Sequence, residues 1–266
     1  MTHQPGQTVL RVPILDTWVD VMEQGALLAA FQDAVEERAG VLVLNHNVHS
    51  LALMQTDPEF RALYRLADLV FIDGMPIVVL ARLSGEPVRA AHRLGVLDWV
   101  WPFFALAEDH HWRVLHVGSR EPTLGRAREA ILARHPKLDL TLLSGYFDRR
   151  PDSAENQEVL DRIAELAPDV LLVGMGMPLQ EHWLGANLPK IAVPLVVTVG
   201  GILGYLGGDR PTAPRWLGPL GLEWAYRLAT EPRRLSRRYL VEPWTLARPV
   251  AAGLLRARAG RVRSRR

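Results

Sequence analysis

The stretch from Val170 to Glu181 constrains the fold more than any other part of the chain. An apolar run, Val170 to Val173, ends in Gly174-Met175-Gly176-Met177-Pro178-Leu179-Gln180-Glu181, which is two glycines, a proline and two side chains that can hydrogen-bond. A continuous apolar run is how a strand buried on both faces reads, and glycine at its carboxyl end lets a ligand approach the backbone. The spacing is not the dinucleotide fingerprint, because the third glycine is missing and no acidic residue closes a following strand. Taken alone, the same residues read equally well as a tight strand-to-helix turn.

The pattern recurs along the chain. Gln24 to Arg38 carries Leu27, Leu28, Phe31, Ala34 and Val35 at helical spacing and leads into the short apolar strand Val41 to Leu44. Leu69 to Ile72 runs into Asp73-Gly74, Val114 to Val117 into Gly118-Ser119, and Leu195 to Val199 into Gly200-Gly201, with helical stretches such as Thr123 to Arg134 and Glu155 to Leu166 between strands. This alternation predicts an α/β, Rossmann-like, mainly parallel sheet with helices on both faces. Parallel strands place their carboxyl ends on one edge. Asn45-His46-Asn47, Asp73-Gly74, Gly118-Ser119, Gly176 to Glu181 and Gly200-Gly201 are therefore expected to converge on one pocket.

The 266 residues fit one large α/β domain, 1–214, followed by a helical basic appendage, 215–266. The absence of cysteine removes disulfides, thiol nucleophiles and thiolate metal sites. Met1 to Arg11 lacks a basic segment followed by an apolar core, and no apolar run approaches the roughly 20 residues that span a bilayer, so a cytoplasmic location is expected. The net charge of +2 hides an asymmetry: Glu231 to Arg266 holds eleven arginines against two acids, while the remainder, with 20 basic and 27 acidic residues, is net −7. Arginines interleaved with Trp244, Leu246, Val250, Leu254 and Leu255 suit an anionic membrane surface, and a plain solubilising tail is the other reading. Nucleic acid is not expected as a partner, since the aromatic interleaving of a base-stacking surface is nearly absent.

At the sheet edge, Asp73 follows an apolar strand directly, where a partly desolvated carboxylate suits a general base; its other reading is a helix N-cap. Asn45 and Asn47 could donate to a sugar or phosphate, or cap the next helix. Arg93, with Asp98 close behind, reads as a phosphate partner or a surface pair. His49 and His92 are isolated, and no H-x-x-x-H or D-x-D element implies a metal. No G-x-S-x-G elbow or Walker lysine appears. From Trp216 to Leu228 the residues Leu217, Leu220, Trp224 and Leu228 form one helical stripe, with Glu223 and Arg227 on another face. Pro232 then restarts the helix, and near continuity would put Arg227, Arg234 and Arg237 on one face, as a solvated surface or a diphosphate clamp.

These residues resemble the WecG/TagA/CpsF glycosyltransferases (glycosyltransferase family 26) of bacterial surface-polymer synthesis, from about Val41 to Leu240. Gly174 to Glu181 resembles the family's G-x-G-x-P-K-Q-E, and Gly200 to Pro214 looks like its G-G segment ending in A-P. Leu222-Glu223-Trp224-Ala225-Tyr226-Arg227-Leu228, Glu231-Pro232 and Arg237-Arg238-Tyr239 complete the match. The resemblance implies inverting, metal-independent sugar transfer, without a cofactor, from a UDP-sugar to a polyprenyl-diphosphate-linked saccharide at the inner membrane face, by a peripheral protein that can form homodimers. The sugar would be N-acetylmannosamine, glucose or a related hexose, and the competing reading is a non-catalytic nucleotide-sugar-binding homologue. Residue by residue, the resemblance makes Asp73 the base and Arg93 the phosphate-side arginine, and Asn45 is counted with them as a catalytic candidate. Asn47 matches the family's donor-site asparagine and Gln180 its pocket glutamine, and Gly118, Tyr146, Gly176 and Glu181 are further candidates for the donor side. Arg227, Arg234 and Arg237 match arginines of a carboxyl-terminal appendage that closes over the site as a diphosphate clamp. Four positions depart from the pattern: Asn45 stands for a threonine, Leu179 for a lysine, Gly204 for an aspartate and Thr212 for an arginine. Such changes can alter substrate choice.

Overall fold

The computed structural model describes residues 9–218 and 221–253. The α/β expectation is borne out by a six-stranded, wholly parallel sheet in the order β4-β3-β8-β7-β5-β6. Its strands are β3 (Val41–His46), β4 (Leu69–Ile72), β5 (Arg113–Gly118), β6 (Asp139–Leu143), β7 (Val170–Gly174) and β8 (Leu195–Thr198). Period-two geometry divides each apolar run between two cores. Val43, Val170, Leu172, Leu195 and Val197 face α1 (Gln24–Glu36), α5 (Val96–Asp109), α6 (Glu121–Arg134) and α9 (Ile202–Leu206). Leu42, Leu44, Leu171, Val173 and Val196 face α3 (Pro58–Tyr64), α7 (Ala154–Leu166) and α8 (Leu179–Asn187).

An antiparallel hairpin, β1 (Leu10–Ile14) and β2 (Thr17–Val21), docks beside the free edge of β4. Asp20 is the joint. Its buried carboxylate takes the Val70 N–H at 2.8 Å and the Arg11 guanidinium at 2.7 and 3.0 Å, satisfying an edge donor that would otherwise stand unpaired. The hairpin shares a third core with α2 (Val48–Thr56) and α4 (Met75–Ser84).

The carboxyl-terminal segment lacks the near continuity that would put Arg227, Arg234 and Arg237 on one face. Trp216 and Leu217 lie in a 3₁₀ turn, Gly221 follows at φ +69°, and helix α10 starts only at Glu223 and ends at Thr230. Leu220, Leu254 and Leu255 lie outside the described residues. Backbone angles of −131° and 54° at Glu231 break the helix before α11 (Pro232–Ser236), a π-helical turn (Arg237–Val241) and α12 (Glu242–Thr245). Leu235 and Leu246 are buried, so this segment packs on the α/β body through apolar anchors. No described helix is long and apolar enough to cross a membrane.

Candidate active site

A cavity of about 330 Å³ opens at the carboxyl ends of the four adjacent strands β4, β3, β8 and β7, with the carboxyl-terminal segment across it. This is the crevice expected where an open parallel sheet ends at its ligand edge. Asp73 follows β4 and enters the cavity with its backbone N–H on the His46 carbonyl, 2.8 Å. It does not cap a helix: Gly74, at φ +125°, is the N-cap of α4 and provides no side chain. Asn45 and Asn47 each donate a side-chain amide to Asp73 Oδ2, at 3.2 and 3.3 Å. Two donors on one oxygen fix the plane of the carboxylate. Oδ1 accepts no hydrogen bond among the described residues, leaving it open to a hydroxyl proton. Asn47 also caps α2, its Oδ1 accepting from Ser50 N–H at 3.1 Å, so both readings of that residue hold at once.

Gln180 fastens two loops together. Its Oε1 accepts from Gly176 N–H at 3.0 Å and Gly200 N–H at 3.2 Å, and its Nε2 donates to Glu181 Oε1 at 2.7 Å. Gly176 and Gly200 have φ of +85° and +56°, where a side chain would be strained, so their backbone N–H groups turn inward at little cost. Glu181 is wholly buried behind Gln180, and burial pushes its carboxyl up to about 7. This pair shapes the cavity from behind.

The cationic wall comes mostly from the carboxyl-terminal segment. Arg93, only 10% exposed, is held by Asp98 at 3.0 Å and Glu223 at 3.2 Å, so it is the centre of a half-buried ion triad and not a surface pair. Burial pushes the Glu223 carboxyl up, opposed by Arg93. Arg227 donates to the Tyr205 hydroxyl at 3.0 Å and sits 4.8 Å from the centre of that ring. Arg234 is taken by Glu231 at 2.6 and 2.8 Å. Arg238 donates to Asn47 Oδ1 at 3.3 Å, and burial lowers its pKa. Arg227 and Arg238 thus face the cavity with neutral partners, whereas Arg93 and Arg234 already carry carboxylates.

The structure brings Asn45, Asn47, Asp73, Arg93, Gly176, Gln180, Arg227 and Arg234 to this cavity. Others lie apart from it. Arg237 is exposed, because the break at Glu231 and the π-helical turn shift the helical phase and Arg238 takes the inward position. Gly118 packs against Gly174 at the end of β5, outside the cavity, and Tyr146 is 65% exposed with Arg120 4.7 Å from its ring. Gly118 ends β5 and Tyr146 follows β6, and both strands lie on the far side of β7. The sequence reading passed over Arg238, Tyr205 and Arg210, all of which line the cavity. Arg238 lies in the Arg237-Arg238-Tyr239 motif, and the glycine pair Gly201 and Gly204 is the sequence signal for Arg210. His49 pairs with Glu242 of α12 at 2.5 Å, a link between α2 and the carboxyl-terminal segment. Among the described residues no group of three or more His, Cys, Asp or Glu side chains is placed to hold a metal ion.

Residues 12–260 match the model of the glycosyl transferase WecG/TagA/CpsF family. Similar proteins include N-acetylglucosaminyldiphosphoundecaprenol N-acetyl-beta-D-mannosaminyltransferases of Staphylococcus aureus strains NCTC 8325 / PS 47 and COL, and that of strain MRSA252. Each is 26% identical over 203 residues, covering 73% of this chain and 77% of the relative.

Proposed function

The chain belongs to the glycosyl transferase WecG/TagA/CpsF family, and we propose that it moves a sugar from a UDP-sugar to a polyprenyl-diphosphate-linked saccharide with Asp73 as general base. The observation that carries this reading is the Asp73 carboxylate, fixed through one oxygen by Asn45 and Asn47 and facing a wall of arginines across the cavity. In this scheme Asp73 Oδ1 accepts the proton of the acceptor hydroxyl, whose oxygen attacks the anomeric carbon in line as the bond to UDP breaks. The product is inverted at that carbon. Arg227 and Arg238, which bind no carboxylate among the described residues, offset the negative charge that builds on the departing diphosphate. Gln180 keeps the glycine loops in place and touches no reacting atom.

N-acetylmannosamine is the first donor sugar to try, because the similar staphylococcal proteins carry N-acetylmannosaminyltransferase in their names. A peripheral position on the membrane would bring the site to a lipid-linked acceptor. Support for that position lies in Leu240, Val241 and Trp244, which are exposed on the segment that covers the cavity; Trp244 is 78% exposed.

The test is UDP release from a panel of UDP-sugars with a short-chain polyprenyl-diphosphate-GlcNAc acceptor. Release is expected with one sugar, and Asp73→Asn should lower turnover by about 10²–10⁴-fold while UDP binding changes little. An unchanged rate in that variant would remove Asp73 from the role. Donor binding without release across the panel would favour the non-catalytic homologue.

A further inference from the structure

Gly201 and Gly204 lie under one side chain, that of Arg210. A β-carbon on Gly204 would meet Arg210 Cδ and Nε at 3.2 Å, and one on Gly201 would meet its Nη1 at 2.6 Å. The stem therefore crosses the first turn of α9 over one glycine and sets the guanidinium over the other, at the cavity wall. A backbone hydrogen bond from Arg210 N–H to the Gly204 carbonyl, 2.9 Å, anchors the start of this crossing.

The guanidinium placed there has little to bind. The nearest carboxylate oxygen, of Glu231, is 3.9 Å from Nε and is already hydrogen-bonded to Arg234 at 2.6 Å. The Tyr205 ring centre lies 5.7 Å away, and the same ring supports Arg227. Among the described residues the Arg210 guanidinium makes no hydrogen bond, although its side chain is only 33% exposed. A five-donor fork held over bare glycine backbone, beside a second guanidinium on a shared tyrosine, suits a planar or tetrahedral oxyanion. A neutral sugar hydroxyl would leave most of those donors unused.

We propose that Arg210 is a phosphoryl-binding residue of this cavity, contacting a diphosphate together with Arg227. The proposal rests on the glycosyltransferase reading above, in which two diphosphates reach the site, that of the donor and that of the lipid acceptor. Calorimetric titration with UDP and, separately, with farnesyl diphosphate tells them apart.

Arg210→Gln is expected to weaken one of these probes by about ten- to a hundredfold, the range for losing hydrogen bonds to a charged group. Loss confined to UDP assigns Arg210 to the donor, and loss confined to farnesyl diphosphate assigns it to the acceptor. Gly204→Ala, whose methyl would push the Arg210 stem aside, should weaken the same probe. In the double variant the two losses should fail to add, as they must if both act through one guanidinium. Wild-type binding that is unchanged in Arg210→Gln for both probes overturns the proposal and leaves the glycosyltransferase reading standing. A wild-type protein that binds neither probe overturns that reading, and the proposal with it.

Discussion

Gln180 and Glu181 divide the work of one short motif between backbone and burial. Gln180 uses its amide oxygen on two backbone N–H groups and its amide nitrogen on Glu181. Its flip state is therefore set by a carboxylate that reaches neither solvent nor cavity. In the sequence the two residues were recognisable as polar groups past a strand end; which way they point was not, since that depends on α8 beginning at Leu179. Burial moves the Glu181 carboxyl from an ordinary 4.5 up to about 7. Between those values the folded chain holds a proton that the unfolded chain has lost, so stability falls as pH rises through the window and levels off above it. Glu181→Gln keeps the acceptor for Gln180 and removes the titration. It should melt close to wild type at pH 4 and higher at pH 8, by on the order of 1–3 kcal/mol, or roughly 5 °C. Thermal unfolding at the two pH values measures this, and a difference that does not grow with pH would show that Glu181 remains ionised at little cost.

Strands were the most legible elements, because a run such as Leu69 to Ile72 is apolar at every position only when both faces are covered. The hairpin β1–β2 was not legible. Its strands are short, Pro13 interrupts one, and its place depends on Asp20 meeting the distant Val70 N–H. The carboxyl-terminal helices were legible in composition but not in phase. A helix uninterrupted from Arg227 would carry Arg234 and Arg237 on its own face, whereas the break at Glu231 and the π-helical turn bring Arg238 inward. Phase depends on backbone angles at one residue, which side-chain periodicity does not report. The two adjacent arginines therefore should differ sharply. Arg238→Ala is expected to lower kcat/KM by about ten- to a hundredfold, through loss of a charge-assisted contact at the cavity. Arg237→Ala, at an exposed position, should stay within about twofold. Equal losses in the two variants would mean that the carboxyl-terminal segment closes with a different phase on substrate.

At the scale of the molecule, the expectation that all strand ends share one pocket was too generous. The cavity takes the ends of β4, β3, β8 and β7, while those of β5 and β6 lie beyond them, because the chain order that decides adjacency is set by crossovers and not by strand sequences. The carboxyl-terminal segment then has two parts that differ in sequence, and their proposed duties can be separated by experiment. Up to Gly253 it is tied in: Leu235 and Leu246 are buried, Glu242 holds His49, and Arg238 reaches Asn47. Residues 254–266 carry six arginines and no acid. Such a charge acts on an anionic surface at about 1 kcal/mol per basic residue near it, and is screened by salt. Removing 254–266 should therefore cut binding to phosphatidylglycerol-containing vesicles by at least about tenfold at low salt, with UDP affinity unchanged. Deletion from Glu231 should damage both properties, since it also exposes the seats of Leu235 and Leu246 and removes Arg238. Vesicle co-sedimentation at low and high salt, with UDP titration of the same proteins, separates these effects. If the shorter deletion binds vesicles as well as the full chain, membrane contact would rest on Leu240, Val241 and Trp244 instead, and Trp244→Ser would then be the variant that releases the protein.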